Sequence, residues 1–122
     1  LAFSMFGGER MVLVSDSGRC AGLPEGSKFD IGGQDGWLVE GVGRLADGTI
    51  AGSASNLYSC MLNAIAFGIP VAEAINAATI TPARQLGRDS EIGSIEEGKL
   101  ADFVVCDEAL RRKAVYIGGV KL

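Results

Sequence analysis

Met11-Val12-Leu13-Val14-Ser15-Asp16 is the stretch on which the reading of the fold turns. Its first four residues are apolar on both faces of an extended chain. Such a run reads as a strand buried on both sides, as in a parallel sheet covered by helices. It stops on an acid, and a loop containing Gly18, Gly22 and Gly26 follows. In barrels and open α/β sheets, reactive side chains lie just past the C-terminal ends of strands. Asp16 is therefore the candidate catalytic residue. An aspartate opening a loop also caps its own turn in many proteins, and position alone leaves both roles open.

Working outward, Ser17 to Gly26 is a loop, punctuated by its glycines and Pro24. Lys28-Phe29-Asp30-Ile31 and Trp37-Leu38-Val39-Glu40 alternate, with Asp35-Gly36 as the turn signal before the second. Gly43-Arg44-Leu45-Ala46 is a third short strand, closed by Asp47-Gly48. Together they predict an antiparallel excursion of two or three strands. At Ser55 the period changes. Leu57, Met61, Leu62 and Ile65 share one helical face, Ser55 or Asn56 caps the start, and Gly68 stops it. Pro70 suits the first turn of a second helix through Val71, Ile75 and Ala78, and Thr81-Pro82 repeats the signature for a third that ends at Leu86-Gly87. Glu91 to Lys99 is a polar loop. Ala101 to Asp107, Ala114 to Ile117 and a last short segment after Gly118-Gly119 read as strands.

Composition bounds the function. The 122 residues suffice for one ordinary domain and fall short of a (β/α)8 barrel, which takes roughly 250. Apolar residues make up 48%, which excludes disorder as the default. Eleven basic residues against 15 acidic ones give a formal charge of −4. That balance argues against a nucleic-acid or anionic-membrane surface, and no apolar run approaches the length of a membrane span. Cys20, Cys60 and Cys106 show no C-x-x-C spacing; they read as packing residues in a reducing cytoplasm. The chain has no histidine, so it cannot hold a histidine-based metal site of its own. A start at Leu1 suits a piece of a longer product.

Three separated motifs carry a resemblance. Gly93-Ser94-Ile95-Glu96-Glu97-Gly98-Lys99-Leu100-Ala101-Asp102-Phe103-Val104-Val105 resembles the closing signature of the amidohydrolase superfamily, and Thr81-Pro82-Ala83-Arg84-Gln85-Leu86-Gly87 resembles the helix before it. Val14-Ser15-Asp16, Ala21-Gly22-Leu23-Pro24 with Gly26, and Leu45 to Ser53 resemble the N-acetylglucosamine-6-phosphate deacetylase branch. The resemblance implies an α/β fold: the C-terminal part of a (β/α)8 TIM-barrel metal-dependent hydrolase, plus strands of its small β-sandwich domain. Residues 1–90 would be barrel and 91–122 β-domain. It implies removal of the acetyl group from an amino-sugar phosphate, with Asp16 matching the aspartate that moves the proton. Ile50, Ala51 and Gly52 match a substrate-contacting loop, where small residues let main chain approach a ligand. The implied cofactor is a divalent metal ion (zinc, iron or similar), with ligands expected from earlier barrel strands and none in this chain.

The same resemblance implies that the chain alone is inactive, and that its partners are a small amino-sugar phosphate and the remainder of its own barrel. A barrel strand at Met11–Val14 left with two unpaired edges invites self-association, hence a homo-oligomer. The rival readings are another amidohydrolase, a non-catalytic sugar-phosphate-binding or self-assembling remnant, and, from Asp16-Ser17-Gly18, half of a homodimeric aspartic protease. The helical stretch from Ser55 to Gly87 argues against the last.

Overall fold

A computed structural model describes all residues, 1–122. The chain forms two compact units, Leu13–Ala74 and Leu1–Val12 with Ile75–Leu122.

The Leu13–Ala74 unit is built on a four-stranded antiparallel sheet of β1 (Lys28–Ile31), β2 (Gln34–Val39), β3 (Val42–Leu45) and β4 (Ile50–Ser53), paired in sequence order. The first turn is Gly32-Gly33, with φ of 62° and 82°. A two-residue hairpin of this hand needs positive φ at both positions, which two glycines supply without strain. Asp35-Gly36, expected as the turn, instead lies inside β2, opposite Asp30 and Phe29. Glu25 supports the second turn: its carboxylate accepts the Glu40 and Gly41 amides at 2.5 and 3.2 Å. A fourth strand, Ile50–Ser53, forms where a loop was expected, because the Asp47-Gly48 turn carries it back along β3.

The core of this unit is small. Cys20, Phe29 and Leu38 are buried together, with Ile31, Ala51 and Ala54 packed against them. Phe29 lies over two glycines: a Cβ at Gly36 would sit 2.7 Å from its ring, and one at Gly43 would sit 3.0 Å from it. Missing side chains on β2 and β3 thus make the space the aromatic ring fills. After the sheet, α2 (Leu57–Ala66) starts at the Asn56 cap, whose side chain accepts the Ser59 amide at 2.9 Å.

Met11–Val14 forms no strand. Met11 is extended (φ −106°, ψ 133°), yet no ladder forms on either side, and Val14 is 74% exposed. The physical reason is that a central strand is stabilised by neighbours on both edges, and no other segment of this chain pairs with this one. Every ladder here is antiparallel; the sole parallel feature is a bridge between Ser17 and Ser53.

In the second unit, Ala2–Phe6 forms a short helix, α1, and Gly8–Arg10 a 3-10 turn. Helix α3 (Val71–Ala78), led by Pro70, runs across the boundary at residue 74, and α4 (Ile80–Gln85) follows. Thr81 does not cap α4, as the Thr-Pro pair suggested. It sits within the helix and is buried, while Pro82 falls in the first turn, where its missing N–H costs no intrahelical bond. Gly93 presses on α4, where a Cβ would lie 2.9 Å from Ile80 Cα and Ala83 Cβ. The antiparallel sheet of β5 (Phe103–Cys106), β6 (Arg112–Ile117) and β7 (Val120–Lys121) closes the chain. Its Phe103 and Tyr116 rings stack with centroids 4.6 Å apart, and the Asp102 carboxylate accepts the Gly118 amide at 2.7 Å.

Candidate functional site

Asp16 and the Ile50–Gly52 run are 34 or more positions apart in the sequence, and one docking interaction brings them together. Asp16 takes φ 50°, in the left-handed region that aspartate tolerates better than most residues. This bend aims the following backbone at the end of β4. The Ser53 amide donates to the Asp16 carbonyl at 3.3 Å, and the Gly18 amide donates to the Ser53 carbonyl at 2.9 Å. Between them lies the parallel bridge of Ser17 and Ser53.

Glycines make the approach close. A Cβ on Gly52 would lie 3.5 Å from Gly18 Cα, and Gly52 has φ 140°, which L side chains rarely adopt. Side chains lock the joint from both directions. The Ser17 hydroxyl donates to the Ser55 carbonyl at 2.5 Å, and the Ser53 hydroxyl accepts the Ser55 amide at 3.0 Å. Ser15 and Ser17 hydroxyls lie 2.8 Å apart in a further hydrogen bond. Buried Cys20 directs its thiol at the Ser53 carbonyl, 3.7 Å away.

Ser53 thus ties the Asp16 backbone to the end of β4, the strand that carries Ile50, Ala51 and Gly52. The sequence places Ser53 only at the end of the Leu45–Ser53 motif, and Ser17 and Gly18 only in the loop and in Asp16-Ser17-Gly18, without a part in this joint. The available signal was the pairing of two small-residue runs, Ser17-Gly18 and Gly52-Ser53, since close main-chain approach needs small residues on both sides.

The Asp16 side chain is exposed. Ile50 is 66% exposed, while Ala51 and Gly52 are half-buried, with Ala51 packed on the Phe29 cluster. The site therefore offers an exposed acid on a backbone tied to the end of an edge strand. Such a carboxylate can take a proton from a water and return it to a nitrogen. Arg19, three residues past Asp16, stretches to Asp30 on β1 at 3.8 Å and is mostly exposed. At the turn into β4, the Thr49 amide donates to the Asp47 carboxylate at 2.9 Å, which holds that carboxyl below the usual aspartate range.

The metal that the family resemblance implies does not fit this chain's own donors. No group of three or more His, Cys, Asp or Glu side chains is assembled, and no histidine exists to complete one. No helix is long and apolar enough to cross a membrane. Helices α2, α3 and α4 are incompatible with the nearly all-β aspartic proteases that Asp16-Ser17-Gly18 brought into consideration.

Residues 8–121 match the family described as "Amidohydrolase family". Among curated proteins, the N-acetylgalactosamine-6-phosphate deacetylase of Escherichia coli O157:H7 is 37% identical over 112 residues, which is 91% of this chain and 29% of that protein. The N-acetylglucosamine-6-phosphate deacetylase of Haemophilus influenzae is 37% identical over 100 residues, 80% of this chain and 26% of that one. Among solved structures, the N-acetyl-D-glucosamine-6-phosphate deacetylase D267A mutant of Mycobacterium smegmatis, in complex with N-acetyl-D-glucosamine-6-phosphate, superposes with a TM-score of 0.85 at 32% identity. That match covers 98% of this chain and 32% of the other. The chain thus spans about a third or less of each of these three proteins.

Proposed function

We propose, from the premise that this chain belongs to the amidohydrolase family, that it supplies the proton-handling end of a deacetylase active site for an N-acetylhexosamine 6-phosphate. The observation that carries the reading is the docking of the Asp16 loop on Ser53, beside Ile50–Gly52. In the complete enzyme, Asp16 takes the proton of the water that attacks the amide carbonyl. The C–N bond then breaks as the Asp16 carboxylic acid protonates the leaving nitrogen, giving acetate and the free amine. An amide nitrogen leaves poorly until protonated, so one group that shuttles the proton serves both halves of the reaction. The open main chain of Ile50–Gly52 lines the sugar.

On this reading residues 1–90 complete a barrel and residues 91–122 belong to the small β-sandwich domain beside it. The remaining barrel strands, and the ligands of any divalent metal, come from polypeptide other than this chain. Met11–Val14 becomes a paired strand only when that polypeptide is present, and the isolated chain is inactive. The names of the relatives include both the gluco and the galacto epimers of the substrate; we take the gluco epimer as substrate, in a cytoplasmic amino-sugar pathway.

The test is acetate release from each epimer by the native gene product, by its Asp16→Asn variant and by the 122-residue chain alone. Release by the native product, an about 10³-fold lower rate in Asp16→Asn and none from the chain alone are expected. An undiminished Asp16→Asn rate overturns the role of Asp16. Release by the isolated chain overturns the need for a partner polypeptide. A native product inactive on both epimers turns the reading to a sugar-phosphate-binding remnant.

A further inference from the structure

The backbone of Asp16 stands in a conformation that needs support. Its φ of 50° lies in the left-handed region, where a residue with a Cβ is less stable than at negative φ. Main-chain bonds supply only part of that support. The Ser53 amide reaches the Asp16 carbonyl at 3.3 Å, beyond the common hydrogen-bond range, and the Gly18 amide reaches the Ser53 carbonyl at 2.9 Å. Both bonds lie on the C-terminal side of the Asp16 Cα. Neither fixes Ser15, on the other side, so neither sets φ.

Two flanking hydroxyls close that gap. A carbonyl can only accept, so the Ser17 hydroxyl spends its single hydrogen on the Ser55 carbonyl at 2.5 Å. The Ser15 hydroxyl, 2.8 Å from that of Ser17, therefore donates to it. The result is a relay from Ser15 through Ser17 to Ser55, in which each bond polarises and strengthens the next. It closes a ring across Asp16, because Ser15 precedes that residue and Ser17 follows it. Turning Asp16 to negative φ swings Ser15 away from Ser17 and opens the ring. The far end of the relay is anchored: the Ser55 amide donates to Ser53 Oγ at 3.0 Å, and Ser55 directly precedes the Asn56 cap of α2.

We propose that Ser17 is a positioning residue for the deacetylation, acting through Asp16 and touching no substrate itself. The inference rests on the proton-transfer role of Asp16. The Ser17 hydroxyl, joined to Ser15 on one side and Ser55 on the other, keeps the Asp16 backbone left-handed. It thereby fixes the direction of the Cα–Cβ bond that carries the carboxylate. A proton-transfer group works only within hydrogen-bond reach of the water and the leaving nitrogen, and a misplacement of about 1 Å costs up to about 100-fold in rate. Binding of the sugar to the main chain of β4 does not pass through this hydroxyl. Loss of the relay therefore lowers kcat and spares KM.

The test uses the native gene product. Ser17→Ala should lower kcat for acetate release about 10-fold, the equivalent of one net hydrogen bond, with KM within about 2-fold of the parent's. Ser17→Thr keeps the hydroxyl at an exposed position and should restore kcat to within about 2-fold. Ser15→Ala leaves the bond from Ser17 to Ser55 and should lose less than Ser17→Ala. Amide hydrogen exchange reads the relay without any substrate. In Ser17→Ala the Gly18 and Ser53 amides should exchange about 10-fold faster, while those of β2 stay as in the parent.

A Ser17→Ala kcat equal to the parent's overturns the proposal, as does a loss carried by KM. A Ser17→Thr variant as slow as Ser17→Ala overturns it too, because the hydroxyl is then not the cause. So does a loss that vanishes once rates are divided by the folded fraction from urea unfolding, since that reports stability alone. Failure of the deacetylase reading looks different. The parent then releases no acetate, or Asp16→Asn releases it undiminished, and exchange at Gly18 and Ser53 still decides whether Ser17 holds the Asp16 backbone. A slow Asp16→Asn beside a Ser17→Ala with parental kcat and parental exchange is failure of the Ser17 proposal alone.

Discussion

The two sheets of this chain are assembled by the same local rules and end in different states. In β1–β4 the strands bury Phe29 and Leu38, with Cys20 laid over them from the Asp16 loop. In β5–β7 no residue is buried; Val104 and Val105 remain 45% and 41% exposed. Both sheets have register, turns and hydrogen bonds. Only the first has a second layer, and that layer is the loop that carries the candidate catalytic aspartate. A meander of strands is specified by its turns, whereas a core needs something to cover one face. Site and core in the Leu13–Ala74 unit are therefore the same construction, since Cys20 covers Phe29 and also points at Ser53.

The comparison can be broken or sharpened by experiment. The largest effect belongs to chemistry: the about 10³-fold loss of acetate release in Asp16→Asn should occur with no change in the amide chemical shifts of β1–β4. Next comes the core. Phe29→Ala should cost about 3 kcal/mol in urea unfolding, near the lower end for a buried phenylalanine in so thin a core, whereas Val105→Ala on the second sheet should stay within about 0.5 kcal/mol. Equal losses at the two positions would mean that the sheets are not different in kind.

Gly43→Ala probes the junction itself, because the new Cβ would lie 2.8 Å from Cys20 Sγ and 3.2 Å from the Gly52 carbonyl. A loss of about 1–3 kcal/mol is expected. The double variant with Cys20→Ala should be less destabilised than the sum of the two single changes, a coupling measured in the same titrations. Additive losses would separate the Asp16 loop from the core of the sheet.

The smallest effect lies on the second sheet, at Asp107. The Arg111 amide, together with the Arg111 and Lys113 side chains, holds its carboxyl below the usual aspartate range. A depressed carboxylate stabilises the fold while ionised. Its contribution is therefore intact above about pH 4, where an unpaired aspartate is also ionised, and fades as pH falls through its own lower value. Carboxyl chemical shifts followed from pH 6 downward should place the Asp107 midpoint below the ordinary aspartate range, and a midpoint within that range would refute its pairing.

Much of this was legible in the sequence because its causes are local. Asn56 caps α2 and Gly68 marks its end; Pro70 leads α3; Asp47-Gly48 reverses the chain after β3. Each is a matter of a side chain and the backbone within a few residues of it. The first hairpin was misplaced by a rival local signal. Asp35-Gly36 and Gly32-Gly33 both favour turns, and the choice fell to the second because Gly36 is where the Phe29 ring must lie. Thr81 was misread likewise: Thr-Pro resembles a cap, but the burial of that face drew Thr81 into α4.

By itself, then, the sequence determined helices α2 and α3, the strands that alternate, the lack of any histidine to build a metal site and the choice of Asp16 as the residue to test. Only the tertiary structure decided that Ile50–Ser53 is a strand, that Ser53 is what holds Asp16 to it, and that the most apolar run, Met11–Val14, stays unpaired. The reason is that pairing belongs to two segments at once. Glycines at 18 and 52 permit a close approach, but whether another segment arrives is a property of the folded chain, and beside Met11–Val14 none does.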